Sequence, residues 1–314
     1  MLAKIYVDGQ EGTTGLRIHE YLAQRTDIAV LKIDPDKRKD PAERKRLLNA
    51  ADIVFLCLPD IASKEAVGLI DNPKTRVIDA STAYRTDPSW AYGLPELSKA
   101  QREKIRGSKR VAVPGCHATA FILPVYPLVA LGIIGVETVL TCFSITGYSG
   151  GGKKMIAEYE DPAAPAALKA PRHYGLKLAH KHLPEMQVIS GLKYPPVFTP
   201  VVCGVHSGLA VETFLPVGQL ARKVSPALVQ ATLAAHYAGE EFVRVMPLTG
   251  EPDGGFMDIT ACNNTNRVDV FVFGNESQMV LLAREDNLGK GASGAAVQCL
   301  NLMLGVAENT GLRS

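Results

Sequence analysis

Ala3-Lys4-Ile5-Tyr6-Val7-Asp8-Gly9-Gln10-Glu11-Gly12-Thr13-Thr14-Gly15-Leu16-Arg17-Ile18 opens the chain with an apolar run, a glycine-rich turn and the start of a helical pattern. Ile5, Tyr6 and Val7 read as a buried strand, because branched and aromatic side chains suit a pleated, covered surface. Residues 16–24 read as a helix. A turn of Gly9, Gly12, Thr13, Thr14 and Gly15 between them suits a dinucleotide. Glycines let the backbone approach a pyrophosphate closely, and the helix N-terminus offers amide N–H groups and a positive dipole end. The spacing is G-x-x-G-x-x-G rather than the commoner G-x-G-x-x-G, so the order strand, turn, helix carries this reading more than the motif does.

The alternation continues outward. Residues 28–33 form a second strand, 42–49 a helix, 53–58 a near-continuous apolar strand ending at Pro59, 62–70 a helix and 76–79 a strand. Unbroken apolar runs suit strands covered on both faces of a parallel sheet. The fold class is therefore α/β, beginning with a Rossmann-like domain over residues 1–115. From about residue 136 the texture changes, and 138–144, 200–205, 209–215 and 268–273 read as longer strands around a helix at 226–237. They predict a second, α+β domain over residues 116–286 with a mostly antiparallel sheet. Residues 292–304 have apolar side chains at helical spacing and carry Gln298 and Asn301 on another face. This last segment, about 287–314, is expected to return to the first domain.

Composition excludes several classes. The 314 residues are 21% charged and 46% hydrophobic with a net charge of +2, and scattered Lys and Arg leave no footprint for nucleic acid. Residues 118–140 are apolar but interrupted by Pro124, Pro127, Gly132, Gly135 and Glu137, whereas a spanning helix needs about 20 mostly uninterrupted apolar residues. No membrane partner is expected. Six cysteines stand far apart, without C-x-x-C or metal-ligand spacing. Scattered thiols without a signal peptide predict a reducing cytoplasm and no metal.

Chemistry concentrates around Cys116. It follows the apolar run Val111-Ala112-Val113-Pro114-Gly115 and precedes a long apolar segment. A cysteine at a strand-to-helix junction sits at the positive helix end, where thiolate is favoured over thiol. His180 and His182, with Glu185 nearby, offer an acid–base near neutral pH. His117 and His206 are read as packing or hydrogen-bonding residues. Ser81 and Arg85 follow the strand at 76–79, and a guanidinium there suits a phosphate. Residues 144–154, including Ser149 and Gly150, read as a mobile substrate loop ending in two lysines. After the second strand, Asp34 and Asp36 stand beside Lys37 and Arg38. The acids suit ribose hydroxyls and the bases a 2′-phosphate, which leans towards NADP(H). Asn287 carries a donor and an acceptor suited to a nicotinamide carboxamide.

In this order, residues 9–15, 78–85, Gly93-Leu94-Pro95-Glu96, Pro114-Gly115-Cys116, 144–154, 180–185 and 286–294 resemble the N-acetyl-gamma-glutamyl-phosphate reductase family in its shorter form, within a wider group that includes aspartate-semialdehyde dehydrogenase. The resemblance implies a Cys116 nucleophile, His180 as acid–base partner with His182 close behind, Arg85 as phosphate clamp, and NADP(H) around residues 9–15 and Asn287. It further implies an acyl-phosphate substrate, a thioester reduced to a semialdehyde, and a homo-oligomer, a homotetramer. Two positions depart from the longer enzymes, which have Tyr where this chain has Thr13 and His117. A dehydrogenase of aspartyl or aminoadipyl phosphate, and a non-catalytic NADP sensor, remain open at this point.

Overall fold

Neighbouring side chains along the first strands enter two different apolar layers, and this alternation builds the first unit. The structure, a computed structural model, describes residues 2–9, 12–38, 40–248 and 252–314; Gln10 and Glu11 of the predicted turn lie outside them. Strands β1 (Ala3–Asp8), β2 (Ile28–Leu31), β3 (Ile53–Leu56), β4 (Arg76–Asp79), β5 (Ala91–Tyr92) and β6 (Arg110–Ala112) alternate with helices α1 (Thr13–Ala23), α2 (Pro41–Ala50), α3 (Asp60–Gly68) and α4 (Lys99–Gly107). The strand order is β2-β1-β3-β4-β6-β5, and the pairings are parallel. On one face Ile5, Val7, Ile53, Phe55 and Ile78 pack with Ile18 and Leu22 of α1. On the other, Tyr6, Val54, Leu56 and Val77 pack with Leu47, Leu48 and Ala66 of α2 and α3. A strand period of two requires this division, and each fully buried large apolar side chain contributes about 1.5–3 kcal/mol.

The C-terminal helix Gly294–Leu304 covers the first face through Ala295, Ala296, Leu300 and Met303. Its polar side chains are buried, not solvated. Gln298 Nε2 donates to Glu96 Oε1 at 2.8 Å and Glu308 Oε2 at 3.0 Å. Asn301 Nδ2 donates to the carbonyls of Glu308 and Thr310 at 2.8 and 2.9 Å. They fasten the chain end, because a buried amide is stable only when its donors find acceptors.

Residues 1–114 and 292–312 form this first compact unit, and residues 115–291 with 313–314 the second. The second contains α5 (Cys116–Ala130), β7 (Thr141–Gly147), α6 (Gly152–Glu160), β8 (Arg172–His173), α7 (Leu183–Ser190), β9 (Val197–Cys203), β10 (Leu209–Pro216), α8 (Pro226–His236), β11 (Val243–Val245), β12 (Val268–Gly274) and β13 (Gln278–Glu285). The order is β11-β12-β13-β10-β7-β9-β8. The sheet is mixed: β7·β9 and β11·β12 are parallel and the other pairings antiparallel. This refines the expected mostly antiparallel sheet. Parallel neighbours need long crossovers, which the segments between β7 and β9 and between β11 and β12 supply.

Helix α5 takes up the first part of the apolar stretch after Cys116. It runs for 15 residues, mostly buried, with Pro124 and Pro127 inside. No helix of the described residues is long and apolar enough to cross a membrane. Pro127 has no N–H for the carbonyl of Leu123; Tyr237 Oη donates to that carbonyl instead, at 2.5 Å.

Candidate active site

Gly115 is the extended N-cap of α5 and Cys116 its first helical residue. The first helical bond runs from Thr119 N to Gly115 O at 2.8 Å, so the amides of residues 116–118 are not consumed within the helix. The N-cap glycine offers no capping side chain and no acid occupies the first turn. The positive end of α5 is therefore left to the half-buried Cys116 thiol. Glu185 Oε2 accepts from Gly115 N at 3.1 Å. Glu185, expected among the substrate contacts, is buried and holds the backbone just before the thiol.

Histidines gather behind Cys116. His117 Nδ1 lies 2.9 Å from Ser144 Oγ and its Nε2 lies 2.8 Å from Tyr174 Oη. Its ring centroid is 5.4 Å from that of His180 and 5.5 Å from that of His182, and those two rings meet edge-on at 4.7 Å. The sequence-predicted pair is thus assembled around His117, the residue next to the nucleophile. Burial, reinforced by the charges of His180 and Lys181, presses the His117 pKa down to about 3. His117 is neutral at working pH. His180 Nδ1 accepts the His182 amide at 3.2 Å, which puts the proton of a neutral His180 ring on Nε2. His182 is buried, His180 half-exposed.

In the expected substrate loop Ser144 lies in β7, Tyr148–Gly151 make a 3-10 turn, and the two lysines lie in the first turn of α6. Ser149 is buried, and Asn287 Nδ2 donates to its Oγ at 2.9 Å. Asn287 Oδ1 accepts the Gly208 amide at 2.9 Å. Asn287 thus clips two loops together by both ends of its amide; Gly150 beside it is exposed. A π-helical turn, Gly289–Ser293, follows. A Cβ on Gly291 would lie 2.6 Å from Cys116 Cβ and 2.7 Å from Glu285 Oε1. Only glycine lets this turn pass so close to the thiol.

The first unit holds the remaining predicted residues. Gly9 has φ +86°, and a Cβ there would stand 2.3 Å from the Cys57 carbonyl oxygen. Gly12 caps α1 without a side-chain bond, and Thr13 Oγ1 is buried with no hydrogen-bond partner among the described residues. A glycine-lined cradle, an uncapped helix end and an orphaned hydroxyl fit a dinucleotide pyrophosphate. Gly15 is buried in α1, directly after Thr14. Asp34 Oδ1 accepts the Asp36 amide at 3.0 Å and caps a 3-10 turn, with Lys37 and Arg38 exposed beyond it. Ser81 Oγ donates to buried Asp79 at 2.6 Å, as Ser63 does at 2.5 Å. Burial raises the Asp79 pKa against these bonds and the Arg85 charge. Arg85 donates to the Ala80 carbonyl at 3.3 Å. Gly9→Ala is expected to cost about 3 kcal/mol through the disfavoured φ and the backbone clash. Thermal unfolding and a nucleotide titration check this; nucleotide affinity should fall at least about tenfold, by the loss of close approach.

The sequence reading did not single out Tyr174, and it held Ser144 and Gly291 only as parts of longer segments; His117, read as a packing or hydrogen-bonding residue, makes a hydrogen bond at each ring nitrogen. The adjacency of His117 to Cys116 was the available signal.

Residues 4–106 match the semialdehyde dehydrogenase NAD-binding domain family, and residues 116–287 the semialdehyde dehydrogenase dimerisation domain family. The chain is 46% identical to N-acetyl-gamma-glutamyl-phosphate reductase 2 of Nostoc sp., across 98% of this chain and 99% of that one. It is 47% identical to N-acetyl-gamma-glutamyl-phosphate reductase of Chelativorans sp., across 97% and 99%. Aspartate semialdehyde dehydrogenase with NADP from Candida albicans superposes with a TM-score of 0.64 at 15% identity, covering 99% of this chain and 100% of that one. That likeness concerns the fold.

Proposed function

Since the chain belongs to the N-acetyl-gamma-glutamyl-phosphate reductases of the semialdehyde dehydrogenase family, we propose that its reaction runs through a thioester on Cys116. The activity is the NADPH-dependent reductive dephosphorylation of N-acetyl-gamma-glutamyl phosphate to N-acetylglutamate semialdehyde, in arginine biosynthesis. The observation that carries the thioester reading is the half-buried thiol at the uncapped start of α5, with His180 and His182 assembled behind it.

The Cys116 thiolate attacks the acyl carbon. A carbon–sulfur bond forms, the carbon–oxygen bond to phosphate breaks, and inorganic phosphate leaves with the electron pair. Amides of residues 116–118 hold the negative charge on the tetrahedral oxygen. When bound, the reduced nicotinamide supplies the hydride for the thioester carbon. His180 Nε2–H donates a hydrogen bond to the oxygen as charge builds there, and the oxyanion then collapses to the aldehyde while the helix end receives the sulfur as thiolate. His182, buried, fixes His180 through its amide. Arg85 is assigned to the phosphate and Gly150 to the acyl chain. Gly9, Gly12, Thr13, Thr14 and Gly15 with Ser81 hold the NADP(H) pyrophosphate side, and Lys37 and Arg38 its 2′-phosphate. The first unit is thus the NADP-binding domain and the second the catalytic one, active in the cytoplasm.

The second unit matches a dimerisation family, and the protein forms a homo-oligomer. A face-to-face homotetramer is supported by one register row of the sheet, in which Val197, Thr141 and Phe214 stand exposed side by side. Two large exposed apolar side chains flanking a threonine in one row suit pairing with a copy of the same face.

Purified protein is expected to oxidise NADPH only with the N-acetylglutamyl acyl phosphate, and to run in reverse with semialdehyde, NADP and phosphate. Aspartyl and aminoadipyl phosphates serve as competitors. Full turnover by protein alkylated at Cys116 would rule out the thioester.

A further inference from the structure

Ser144, Pro200 and Tyr174 lie in one row across the second unit's sheet. Ser144 pairs with Pro200 in the β7·β9 register, and the Tyr174 amide donates to the Pro200 carbonyl at 3.1 Å. His117, in the first turn of α5, spans this row, with Ser144 Oγ on one ring nitrogen and Tyr174 Oη on the other. The Tyr174 hydroxyl is therefore held one hydrogen bond away from the neighbour of the nucleophile.

The row has a direction. Ser144 is fully buried, and its hydroxyl has His117 Nδ1 as its hydrogen-bond partner among the described residues. A buried hydroxyl proton needs an acceptor, so Ser144 donates and Nδ1 accepts. A neutral imidazole accepting at Nδ1 carries its proton on Nε2, which then donates to Tyr174 Oη. The phenol has no need to give its own proton to His117, and that proton is available to another acceptor.

We infer that Tyr174 is a further catalytic residue, whose hydroxyl donates a hydrogen bond to the Cys116 thiolate, and that His117 and Ser144 are the positioning residues that turn it there. The inference rests on the thioester reading. Two electrostatic observations agree with it. His117 is kept neutral by burial, so the relay does not reverse near neutral pH. The Tyr174 phenol is held above its ordinary range first by burial and then by the charge of Cys116, so it keeps the proton it donates. Other ionisable groups lie in the same unit. Glu185 sits on the Gly115 amide, Glu285 lies against the space beside Gly291, and the buried Lys290 stacks over Phe242. His180 and His182 pack on His117 from the α7 side. A neutral phenol steadies a thiolate without adding a further charge.

The test is the alkylation rate of Cys116 by iodoacetamide as a function of pH, read on the Cys116 peptide by mass spectrometry. Tyr174→Phe should raise the midpoint on the order of one pH unit, making alkylation about tenfold slower below it, as loss of one charge-assisted bond does. Its kcat should fall while NADPH affinity holds. His117→Leu should shift the midpoint in the same direction, and add nothing in the Tyr174→Phe background. A Tyr174→Phe midpoint coincident with wild type overturns the inference, as does a His117→Leu shift that persists undiminished without the phenol. If wild-type protein alkylated at Cys116 keeps its turnover, the thioester reading fails instead. If alkylation abolishes turnover and Tyr174→Phe moves nothing, only the Tyr174 assignment falls.

Discussion

Cys116→Ser is expected to lower turnover by about three orders of magnitude or more, with NADP(H) binding unchanged. A hydroxyl at the same place ionises far less readily than a thiol, so the N-terminus of α5 cannot hold it as an anion near neutral pH. Without the anion there is no acyl-enzyme, and the remaining site can only bind and orient. The change removes no buried apolar volume, and Cys116 is half-buried at the helix start, so unfolding temperature should move little. Steady-state NADPH oxidation, a nucleotide titration and a melting curve check the three parts. Turnover within about tenfold of wild type would mean that the acyl phosphate is reduced without a covalent enzyme intermediate.

Gly291→Ala should be nearly as damaging for a geometric reason. The added Cβ would be 2.6 Å from Cys116 Cβ, 2.7 Å from Glu285 Oε1 and 3.2 Å from the Asp286 carbonyl oxygen. The turn has little room to withdraw, because the Gly291 amide is bonded to the Asp286 carbonyl at 3.0 Å and Asp286 in turn accepts the Asn264 and Leu288 amides at 2.8 and 2.9 Å. Either the turn or the first turn of α5 must shift by about an ångström, a displacement that costs about a hundredfold in rate when it falls on a nucleophile. Overpacking should also destabilise by about 1–3 kcal/mol. The expected result is a kcat lowered about a hundredfold with a modest fall in Tm and a slower alkylation of Cys116. Wild-type kcat and Tm in this variant would show that the turn yields without disturbing the thiol.

Much of the fold was legible because its signals are local. The parity of Ile5, Tyr6 and Val7, the glycines after them, and the unbroken apolar run at 53–56 each report on backbone conformation within a few residues. The mixed sheet was not legible, since β7 reaches β9 across a long intervening segment whose register no short pattern encodes. The prolines and glycines after Cys116 speak locally against a membrane span; that Tyr237 would replace the missing amide of Pro127 required a contact 114 residues away.

By itself the sequence determined an α/β chain with a dinucleotide turn at its start and a cysteine at the head of a helix. Periodicity, glycine and proline act on adjacent residues, so these features survive without knowledge of packing. Tertiary structure alone decided what each polar side chain does. It brought Ser144 and Tyr174 to His117 from 27 and 57 residues away, Glu185 to Gly115 from 70, and Asn287 to Ser149 from 138. Such pairings follow from strand register and burial, where a donor must take whichever acceptor the packed interior presents.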